Sequence, residues 1–376
     1  MQLSTPQGNF QLARYPARHS ETLRAWDAAD EYLLNYFSEN LASTKPSKLL
    51  ILNDNFGALA TALSSYAPTS QSDSFLAHAA TKQNLAKNNI SSGQVKLLSS
   101  LEPPTTEAFD VVLIKSPKNL SFLEDQLLRL RPFLHPETNI VAAGMVKYVH
   151  ASTLKVYENT LGNTTTSLAK KKARLIFIKP EKLRQEDSPY PKYYTLENTQ
   201  FQICNHANIF SRDSLDIGTR FFLEHIPSSD KEKHILDLGC GNGVVGMMAA
   251  TKNPNSRLTF TDESFMAIES AKATFYKNID KPKEAEFHAT NCLEGITNTS
   301  IDLILNNPPF HQGNTVGDHI AMEMFKDSKR ALKKGGELWV IGNRHLGYHV
   351  KLKKLYGNCE LVASNKKFVI LKTIKT

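Results

Sequence analysis

A pattern of buried strand, small-residue turn and helix occurs twice in this chain, and it constrains the fold more than any other feature. Leu49–Leu63 (LLILNDNFGALATAL) aligns with Ile235–Ala249 (ILDLGCGNGVVGMMA), so that Gly57 falls on Gly243. Such internal similarity is typical of a duplicated structural unit. The chain is therefore expected to contain two halves built on one plan.

Two further landmarks follow in the same order in both halves. Asp73 falls near Asp262, and each of them ends a strand-like run and precedes a helical pattern. The segments FDVVLIKSPK, from Phe109, and IDLILNNPPF, from Ile301, then place an Asp before an apolar strand and a proline-bearing loop. Short strands resemble one another, so coincidence is the alternative interpretation. Three landmarks in one order favour a duplication.

Apolar runs of strand length alternate with helical patterns, which predicts an α/β fold with one parallel sheet in each half. A stretch rich in proline and charge, KPEKLRQEDSPYPK, separates the halves. We therefore predict domains at residues 1–180 and 193–376, joined by residues 181–192, with a short antiparallel β segment at 193–210. The predicted strands are Leu49–Leu52, Val111–Ile114, Ile140–Ala143, Ile235–Leu238, Arg257–Phe260, Leu303–Leu305 and Leu338–Ile341, and the predicted helices include Ser121–Leu130 and Ile320–Leu332.

Length and composition fit ordinary globular domains. The chain has 376 residues, 41% of them hydrophobic and 22% charged, and about 150 residues per domain is usual. The four cysteines lack Cys-x-x-Cys spacing, so neither a zinc site nor a disulfide framework is expected. No apolar run approaches the ~18 residues of a membrane helix and no secretory leader is evident, so a reducing cytoplasm is the expected compartment. The net charge of +8 favours a polyanionic partner.

A glycine-rich turn in the second half has the composition of a cofactor site. Asp237, Gly239, Gly241 and Gly243 lie in the segment DLGCGNG, between a predicted strand and a predicted helix. Glycines let the backbone approach a ligand and adopt positive φ, and a helix N-terminus together with an acidic residue can frame a nucleoside. Asp262 ends the next strand, where an acid suits hydrogen bonding to ribose hydroxyls. The alternatives are a purely structural turn and, for Asp262, a helix N-cap.

Two cofactors fit this arrangement, a dinucleotide and S-adenosyl-L-methionine. The carboxylate of Asp237 would repel a pyrophosphate but would attract the cationic amino and sulfonium groups of S-adenosylmethionine. The D-x-G-x-G-x-G form resembles motif I of the class I S-adenosylmethionine-dependent methyltransferases. This resemblance implies the Rossmann-like fold of that class, and it implies that Asn291, after a further strand, contacts the adenine of the cofactor. An ordinary role at the start of a loop explains Asn291 equally well.

The segment Asn306-Asn307-Pro308-Pro309-Phe310 points to the substrate. Adjacent prolines lack N–H donors, so their carbonyl oxygens and the side chain of Asn307 predict an acceptor-rich pocket suited to an NH₂ group. Phe310 offers a surface for stacking a base taken out of its helix. A proline-stiffened loop is the alternative. Asn-Pro-Pro-Phe resembles motif IV of the amino-methyltransferases, which modify exocyclic amines of adenine or guanine and, in a related group, glutamine side chains.

Asn307, Pro308 and Phe310 are therefore the expected catalytic residues, in an in-line transfer that requires no metal and no covalent intermediate. The exocyclic amine of guanine is a poor nucleophile because its lone pair is delocalised into the ring. Accepting its hydrogens at the Asn307 side chain and the Pro308 carbonyl would turn the lone pair toward the methyl group. Positioning and electrostatics would then carry most of the catalysis.

Over nearly the whole chain the sequence resembles the bacterial ribosomal RNA guanine-N2 methyltransferases, and among them the large-subunit (23S) members. The resemblance is carried by DLGCGNGVVG, NNPPFHQG, Asn205–Ile226, the closing IGNRHLGYHVKLKKLYGN and, in the first half, LRAWDAADEYLL and ILNDNFGALA. It implies two tandem class I methyltransferase domains. The second would bind S-adenosylmethionine and methylate the 2-amino group of a guanine in 23S ribosomal RNA, naked or in a ribosomal particle, and the first would be a degenerate copy that helps to hold RNA.

The first half has the substitutions expected of a degenerate copy. Ile51-Leu-Asn53-Asp-Asn55 stands where the second half has Asp237-Leu-Gly239-Cys-Gly241, and Lys115-Ser-Pro-Lys118 stands where it has Asn307-Pro-Pro-Phe310. The glycines and the amine acceptor are both lost. Two interpretations of the lysines in this second segment stay open: contact with RNA phosphate, and an ordinary solvated position in a loop, which is the more common for a lysine.

Other polar segments are weaker candidates. The basic clusters Lys170–Arg174, Lys329–Lys334 and Lys351–Lys354 fit either an RNA path or ordinary exposed positions. Arg344–His345 follows a predicted strand and is a candidate to reach the substrate, without a catalytic role. Asp216 is by resemblance in a segment that flanks the cofactor, and it is also a good helix N-cap.

Two rival functions stay open at this point. One is methylation of a different amine, in 16S ribosomal RNA, in DNA adenine or in a protein glutamine, although the glutamine enzymes usually carry Tyr where Phe310 stands. The other is a non-catalytic RNA-binding assembly factor, against which the intact glycine turn, Asp262 and Asn-Pro-Pro-Phe argue. Titration with the cofactor distinguishes the two classes.

Overall fold

The computed structural model describes residues 1–17, 21–44, 46–104, 108–231, 233–279, 284–309 and 315–376. The chain divides into two compact units, Met1–Tyr190 and Pro191–Thr376. This division falls inside the predicted joining segment, residues 181–192. Up to Tyr190 the segment is bound to the first unit, because Arg131 forms an ion pair with Glu186 at 2.7 Å and the Glu181 N–H donates to the Leu161 carbonyl at 2.8 Å.

The first unit consists of an antiparallel hairpin followed by a seven-stranded sheet in the order β5-β4-β3-β6-β7-β9-β8. Its elements are β1 (Gln2–Thr5), β2 (Gly8–Gln11), α1 (Ala28–Tyr36), β3 (Leu49–Leu52), α2 (Ala58–Ala62), β4 (Thr69–Ser72), α3 (Phe75–Lys87), β5 (Lys96–Ser99), β6 (Val111–Lys115), α4 (Leu120–Leu130), β7 (Asn139–Met145), α5 (Ala151–Thr160), β8 (Thr164–Thr166) and β9 (Ala173–Ile178).

The second unit repeats this plan, with a sheet in the order β14-β13-β12-β15-β16-β18-β17. Its elements are β10 (Lys192–Thr195), β11 (Gln202–Asn205), α6 (Ile217–Glu224), β12 (His234–Leu238), α7 (Val244–Lys252), β13 (Arg257–Asp262), α8 (Phe265–Asn278), β14 (Ala285–Ala289), β15 (Ile301–Asn306), α9 (Thr315–Ala331), β16 (Leu332–Asn343), α10 (Tyr348–Tyr356), β17 (Glu360–Ser364) and β18 (Phe368–Ile374). The predicted antiparallel segment is confirmed as the hairpin β10–β11.

The two sheets have the same strand order and direction, which confirms the α/β fold of two tandem domains. The prediction of wholly parallel sheets is incomplete. At one edge β9 pairs antiparallel with β7 and β8, and β18 pairs antiparallel with β16 and β17. In the second unit the reason is the short connection, residues 365–367, between β17 and β18, because only antiparallel neighbours can be joined by a tight hairpin.

Each sheet is buried on both faces. In β3, Leu49 and Ile51 belong to the core on one face, whereas Leu50 and Leu52 belong to the core on the other. Strand β12 alternates in the same way. Side chains point alternately to the two faces of a strand, so a run of apolar residues without polar interruption is what a doubly covered parallel strand requires.

In each unit, paired hydrogen bonds attach the leading hairpin to the end of an equivalent helix, α3 in the first unit and α8 in the second. In the first unit, Asn88 accepts from the Gln11 N–H at 2.7 Å and donates to the Gln11 carbonyl at 2.9 Å. In the second, Asn278 makes both bonds with Gln202 at 2.8 Å. An equivalent side chain therefore holds an equivalent strand in both units, which adds support to the duplication.

The predicted elements correspond to observed ones. The predicted strand Leu338–Ile341 lies inside the longer β16, and the predicted helix Ile320–Leu332 is observed as α9, which ends at Ala331. Within the described part of the chain, no helix has the length and apolarity needed to cross a membrane.

Candidate active site

The predicted site residues of the second unit meet at one edge of its sheet. Leu238, the last residue of β12, pairs with Thr261 of β13 on one side and with Asn306 of β15 on the other. The chain therefore continues from β12 to β13 on one side and later returns to form β15 on the other side of β12. In open α/β sheets, ligands bind at the carboxyl ends of the strands at such a switch point.

The glycines of the turn between β12 and α7 have different structural roles. Gly239, Gly241 and Gly243 all have positive φ, of 71°, 53° and 76°. A Cβ atom at Gly241 would meet nothing within 4 Å, whereas one at Gly243 would lie 2.7 Å from the Cα of Ala271. Gly243 thus allows α7 and α8 to approach each other, and Gly241 leaves space beside the backbone for a ligand.

Asp237 supports the first turn of α7. Its Oδ2 accepts a hydrogen bond from the Gly246 N–H at 2.7 Å, and the residue is 2% exposed. Burial raises the pKa of Asp237 to about 7, although the bond from Gly246 opposes that rise. A cation bound near this carboxyl would favour its ionised form.

Asp262 joins the glycine turn to the end of β13. Its Oδ2 accepts from the Gly241 N–H and its Oδ1 from the Ser264 N–H, both at 3.0 Å. The interpretation of Asp262 as a helix N-cap is wrong, because Ser264 is the N-cap of α8 and accepts from the Ala267 N–H at 3.1 Å. Asp262 is thus held beside the open face of Gly241, and carboxylate oxygens can accept more than one hydrogen bond each.

Asn291 follows β14 at the same edge. The neighbouring Thr290 N–H donates to the Asp262 carbonyl at 2.8 Å, and the Asn291 Nδ2 donates to Glu323 Oε1 at 2.9 Å. Glu323 belongs to α9 and was not singled out by the sequence. This hydrogen bond fixes the orientation of the Asn291 side-chain amide. The two residues are 32 positions apart, so no local sequence pattern predicts the pair.

The end of β15 presents two adjacent amides. Asn306 is fully buried, and its Nδ2 donates to the Leu238 carbonyl at 2.9 Å, which ties β15 to β12. The Asn307 Nδ2 donates to the hydroxyl of Thr219 at 3.0 Å. Among the described residues, neither Asn306 Oδ1 nor Asn307 Oδ1 has a hydrogen-bond partner, although both atoms are buried. Pro308 is buried, and Phe310 lies outside the described residues.

The first unit keeps the course of the turn but closes it with side chains. Asn53 has a φ of 64°, close to that of Gly239, and its amide pairs reciprocally with Gln126 at 2.8 and 3.0 Å. Asp54, 2% exposed, accepts from the N–H groups of Ala58 and Ala60, as Asp237 does from α7. Burial raises the pKa of Asp54 to about 6. The acid that supports the start of the helix therefore lies three positions later in the aligned sequence of the first unit than Asp237 does in the second.

The alignment of Asp73 with Asp262 needs a correction of one residue. Ser72 ends β4 as Asp262 ends β13, and the Ser72 hydroxyl accepts from the Ser74 N–H at 3.2 Å. Asp73 is instead buried and accepts from the Ser100 hydroxyl at 2.7 Å. The first unit therefore has no acid at the position that Asp262 occupies in the second.

Lys115 is buried in ion pairs, so it fits neither of the two interpretations, contact with RNA phosphate or a solvated position in a loop. Its Nζ lies 2.7 Å from Asp27 Oδ1 and 2.8 Å from Asp30 Oδ1, and only 8% of its side chain is exposed. Burial acts to lower the pKa of Lys115, but the carboxylates of Asp30 and Asp27 outweigh burial and raise it. Lys118 is exposed, and its Nζ lies 4.3 Å from the ring centre of Tyr148.

The basic cluster Lys329–Lys334 is largely engaged within the second unit. Lys329 Nζ donates to the Leu355 carbonyl and Arg330 to the Leu293 carbonyl, both at 2.6 Å. These bonds join the end of α9 to neighbouring segments, so the two side chains have structural roles.

The remaining basic candidates are more accessible. In the cluster Lys170–Arg174, Lys171 pairs with Glu31 at 2.9 Å while its side chain stays 70% exposed. Arg344 and His345 are exposed after β16, and the Arg344 guanidinium donates to the Asn365 carbonyl at 3.1 Å. Nothing in these contacts assigns a catalytic role to either residue.

Comparison with known proteins agrees with this architecture. The family model described as RLMG N-terminal domain matches residues 1–182, and the one described as methyltransferase small domain matches residues 200–372. A solved structure of the 16S rRNA N2 methyltransferase from T. thermophilus, in complex with AdoMet and guanosine, has a TM-score of 0.77 at 18% identity. It covers 100% of this chain and 98% of its own, so the tandem fold is shared throughout.

Curated relatives match at much higher identity. Proteins called ribosomal RNA large subunit methyltransferase G are 46% identical in Streptomyces coelicolor, over 99% of this chain and 100% of the relative, and 48% identical in Pseudoalteromonas translucida, over 100% and 98%. The protein of that name from Erwinia tasmaniensis is 50% identical over 97% and 96%. The chain therefore belongs to the ribosomal RNA large subunit methyltransferase G family.

Proposed function

We propose that this chain transfers the methyl group of S-adenosyl-L-methionine to the exocyclic 2-amino group of a guanine in 23S ribosomal RNA. The observation that carries this proposal is the buried Asn307 Oδ1, an acceptor without a partner among the described residues, at the same sheet edge as the glycine turn. The names of the relatives support the large-subunit substrate. Such a substrate implies a cytoplasmic location.

The glycine turn and Asp262 would hold the cofactor. Space beside Gly241 admits a ligand next to the backbone, and Asp262 is fixed by two backbone N–H groups where ribose hydroxyls would approach. Asn291, whose amide is held by the hydrogen bond to Glu323, would contact the adenine of the cofactor. When bound, S-adenosylmethionine supplies an electrophilic methyl group, and its positive charge would favour the ionised form of Asp237.

Asn307 and Pro308 would orient the amine. The amine of guanine carries two N–H donors, and the Asn307 Oδ1 and the Pro308 carbonyl oxygen are acceptors for them. Hydrogen bonds from the amine strengthen as its nitrogen gains positive charge, so these fixed acceptors stabilise the transition state more than the ground state. Phe310, two positions after Pro308, would stack on the base once the base has been extruded from the RNA helix.

The first unit would hold RNA without binding the cofactor. It lacks the acid of Asp262, its turn is closed by Asn53 and Gln126, and a lysine replaces the amide of Asn307. Lys118 and Lys147 lie 4.3 and 4.7 Å from the ring centre of Tyr148, at the carboxyl end of this sheet. Cations around an accessible aromatic ring suit contacts with phosphates and bases.

The proposal is tested by methyl transfer in vitro. Purified protein and S-adenosylmethionine are incubated with deproteinised 23S RNA, with large subunits or with 16S RNA from cells that lack the gene, and the RNA is digested to nucleosides for mass spectrometry. We expect 2-methylguanosine from at least one of the two large-subunit substrates and none from 16S RNA. Methylation of adenine, or of 16S RNA alone, would contradict the proposed substrate, and no methylation would favour a non-catalytic factor.

A further inference from the structure

A chain of hydrogen bonds runs from the start of α6 to the proposed catalytic amide. Asp216 is the N-cap of α6, and its Oδ2 accepts from the Thr219 N–H at 2.9 Å. The same carboxylate oxygen lies 3.4 Å from the Thr219 hydroxyl, which in turn lies 3.0 Å from Asn307 Nδ2. Thr219 thus stands between an acid and the amide, 88 residues away from Asn307 in sequence.

The chemistry of these groups fixes the direction of each bond. A carboxylate accepts hydrogen bonds, so Asp216 Oδ2, at 3.4 Å, offers an acceptor for the single hydroxyl proton of Thr219. The lone pairs of the hydroxyl are then left to accept from a donor, and Asn307 can supply one only through its NH₂ end. Its Oδ1 must therefore face the other way, where it is buried and has no hydrogen-bond partner among the described residues.

The first unit contains the same three positions with different residues. Asp27 is the N-cap of α1, Asp30 is the third residue of that helix, and Lys115 ends β6. These positions correspond to Asp216, Thr219 and Asn307. In the first unit both acids bind the lysine, at 2.7 and 2.8 Å. Both units thus have a contact between the start of a helix and the end of a strand. Where Lys115 replaces the amide of Asn307 at the strand end, Asp30 replaces Thr219 at the third helical position.

We propose that Thr219 and Asp216 are positioning residues that hold the Asn307 amide with Oδ1 toward the amine of the substrate. The inference rests on the proposed function, because it takes Asn307 as the acceptor of the amine. Without the Thr219 hydroxyl, the amide is free to turn over and present its NH₂ end. Two donors would then face each other, and the amine would lose its acceptor.

Three variants separate this role from a packing role. Thr219→Val keeps the shape and removes the hydroxyl, and Thr219→Ser keeps the hydroxyl. Thr251→Val is the control, because the hydrogen bonds that the structure shows for the Thr251 hydroxyl stay within α7, to the Met247 carbonyl at 3.1 Å and to its sulfur at 3.9 Å. Single-turnover rates are measured at saturating 23S RNA and S-adenosylmethionine, together with cofactor affinity and the melting temperature.

We expect Thr219→Val to lower the single-turnover rate by about tenfold, as the loss of one positioning hydrogen bond implies. Thr219→Ser should stay within about twofold of the parent, as should Thr251→Val, and cofactor affinity should not change. Asp216→Asn provides a second route, since Asn also caps helices. Its NH₂ group can donate to the Thr219 hydroxyl and weaken the fixed direction of the bonds, so a severalfold slower rate is expected with little change in melting temperature.

A double variant gives the decisive comparison. If Thr219 acts through Asn307, adding Thr219→Val to Asn307→Ala should cause no further loss of rate. An equal additional loss in that background would overturn the inference, as would a full-speed Thr219→Val enzyme beside a slow Asn307→Ala enzyme. Both of these results leave the proposed function intact. A full-speed Asn307→Ala enzyme would instead remove the catalytic role of Asn307 itself.

Discussion

Replacing Lys115 with Met tests the buried ion pair that the first unit has at the end of β6. The side chains of Lys115 and Asp30 are 8% and 7% exposed, and their charged atoms lie 2.8 Å apart. Removing the lysine leaves a buried carboxyl without its counter-charge. Breaking a buried ion pair in this way costs about 3–5 kcal/mol, and we expect the free energy of unfolding of the first unit to fall by that amount at neutral pH.

The loss should depend on pH. Burial raises the pKa of Asp30, and Lys115 opposes that rise. In Lys115→Met the pKa should rise further, so the folded unit takes up a proton more readily than the unfolded chain as the pH falls. The difference in stability between variant and parent should therefore shrink toward acid pH and grow toward neutral pH.

Scanning calorimetry with and without S-adenosylmethionine measures this loss, because the cofactor should shift only the transition of the second unit. Lys118→Met is the control. Lys118 is exposed in the loop that follows β6, so its replacement should change stability by less than about 0.5 kcal/mol but flatten the salt dependence of RNA binding by about one unit of log–log slope. A Lys115→Met protein of unchanged stability, with a flattened salt slope, would refute the ion-pair interpretation and return Lys115 to the RNA surface.

Four further predictions concern the second unit. Asp262→Ala should weaken S-adenosylmethionine binding by about 1–3 kcal/mol in calorimetry, because hydrogen bonds to a charged group are lost; unchanged affinity would limit Asp262 to supporting Gly241. Asn307→Ala should lower the single-turnover rate by about 100-fold with little change in binding, whereas Phe310→Ala should mainly weaken productive RNA binding, by about 1–3 kcal/mol; equal effects of both variants on binding would contradict the separate roles. Burial raises the pKa of Asp237 to about 7, so cofactor affinity should increase as the pH rises through that value. Asp237→Asn should remove both this pH dependence and the release of a proton on cofactor binding. If the variant still binds with the same pH dependence, the titrating group is a residue other than Asp237. Calorimetry on the whole chain should give one cofactor per chain, and two would mean that the first unit retains a site.

The sequence predicted what depends on local pattern. The apolar run Leu49–Leu52 and the run Ile235–Leu238, which only Asp237 interrupts, marked doubly buried strands, because a strand covered on both faces has no solvent-exposed polar side. The glycines after β12 marked a turn with positive φ, which other residues adopt only at a cost. In the first unit Asn53 adopts this positive φ, and Asn tolerates the left-handed region better than most residues with a side chain.

What the sequence did not predict depends on residues that meet only after folding. Lys115 looked like a surface lysine because the two acids that pair with it lie at the start of α1, far earlier in the chain. Asp73 looked like the residue equivalent to Asp262 because an alignment of short segments cannot exclude a shift of one position. The hydrogen bond from the Ser74 N–H to the Ser72 hydroxyl shows that Ser72 is the equivalent residue. The contact of Thr219 with Asn307 likewise has no local signature.

Mass spectrometry of nucleosides from 23S ribosomal RNA tests the central claim most directly. RNA is compared from parent cells, from cells lacking the gene, and from the latter carrying either the intact gene or the Asn307→Ala form at equal protein abundance. We predict that one 2-methylguanosine per 23S molecule disappears on deletion, returns with the intact gene and does not return with Asn307→Ala. An unchanged 2-methylguanosine content in the deletion strain, or full restoration by Asn307→Ala, would contradict this account.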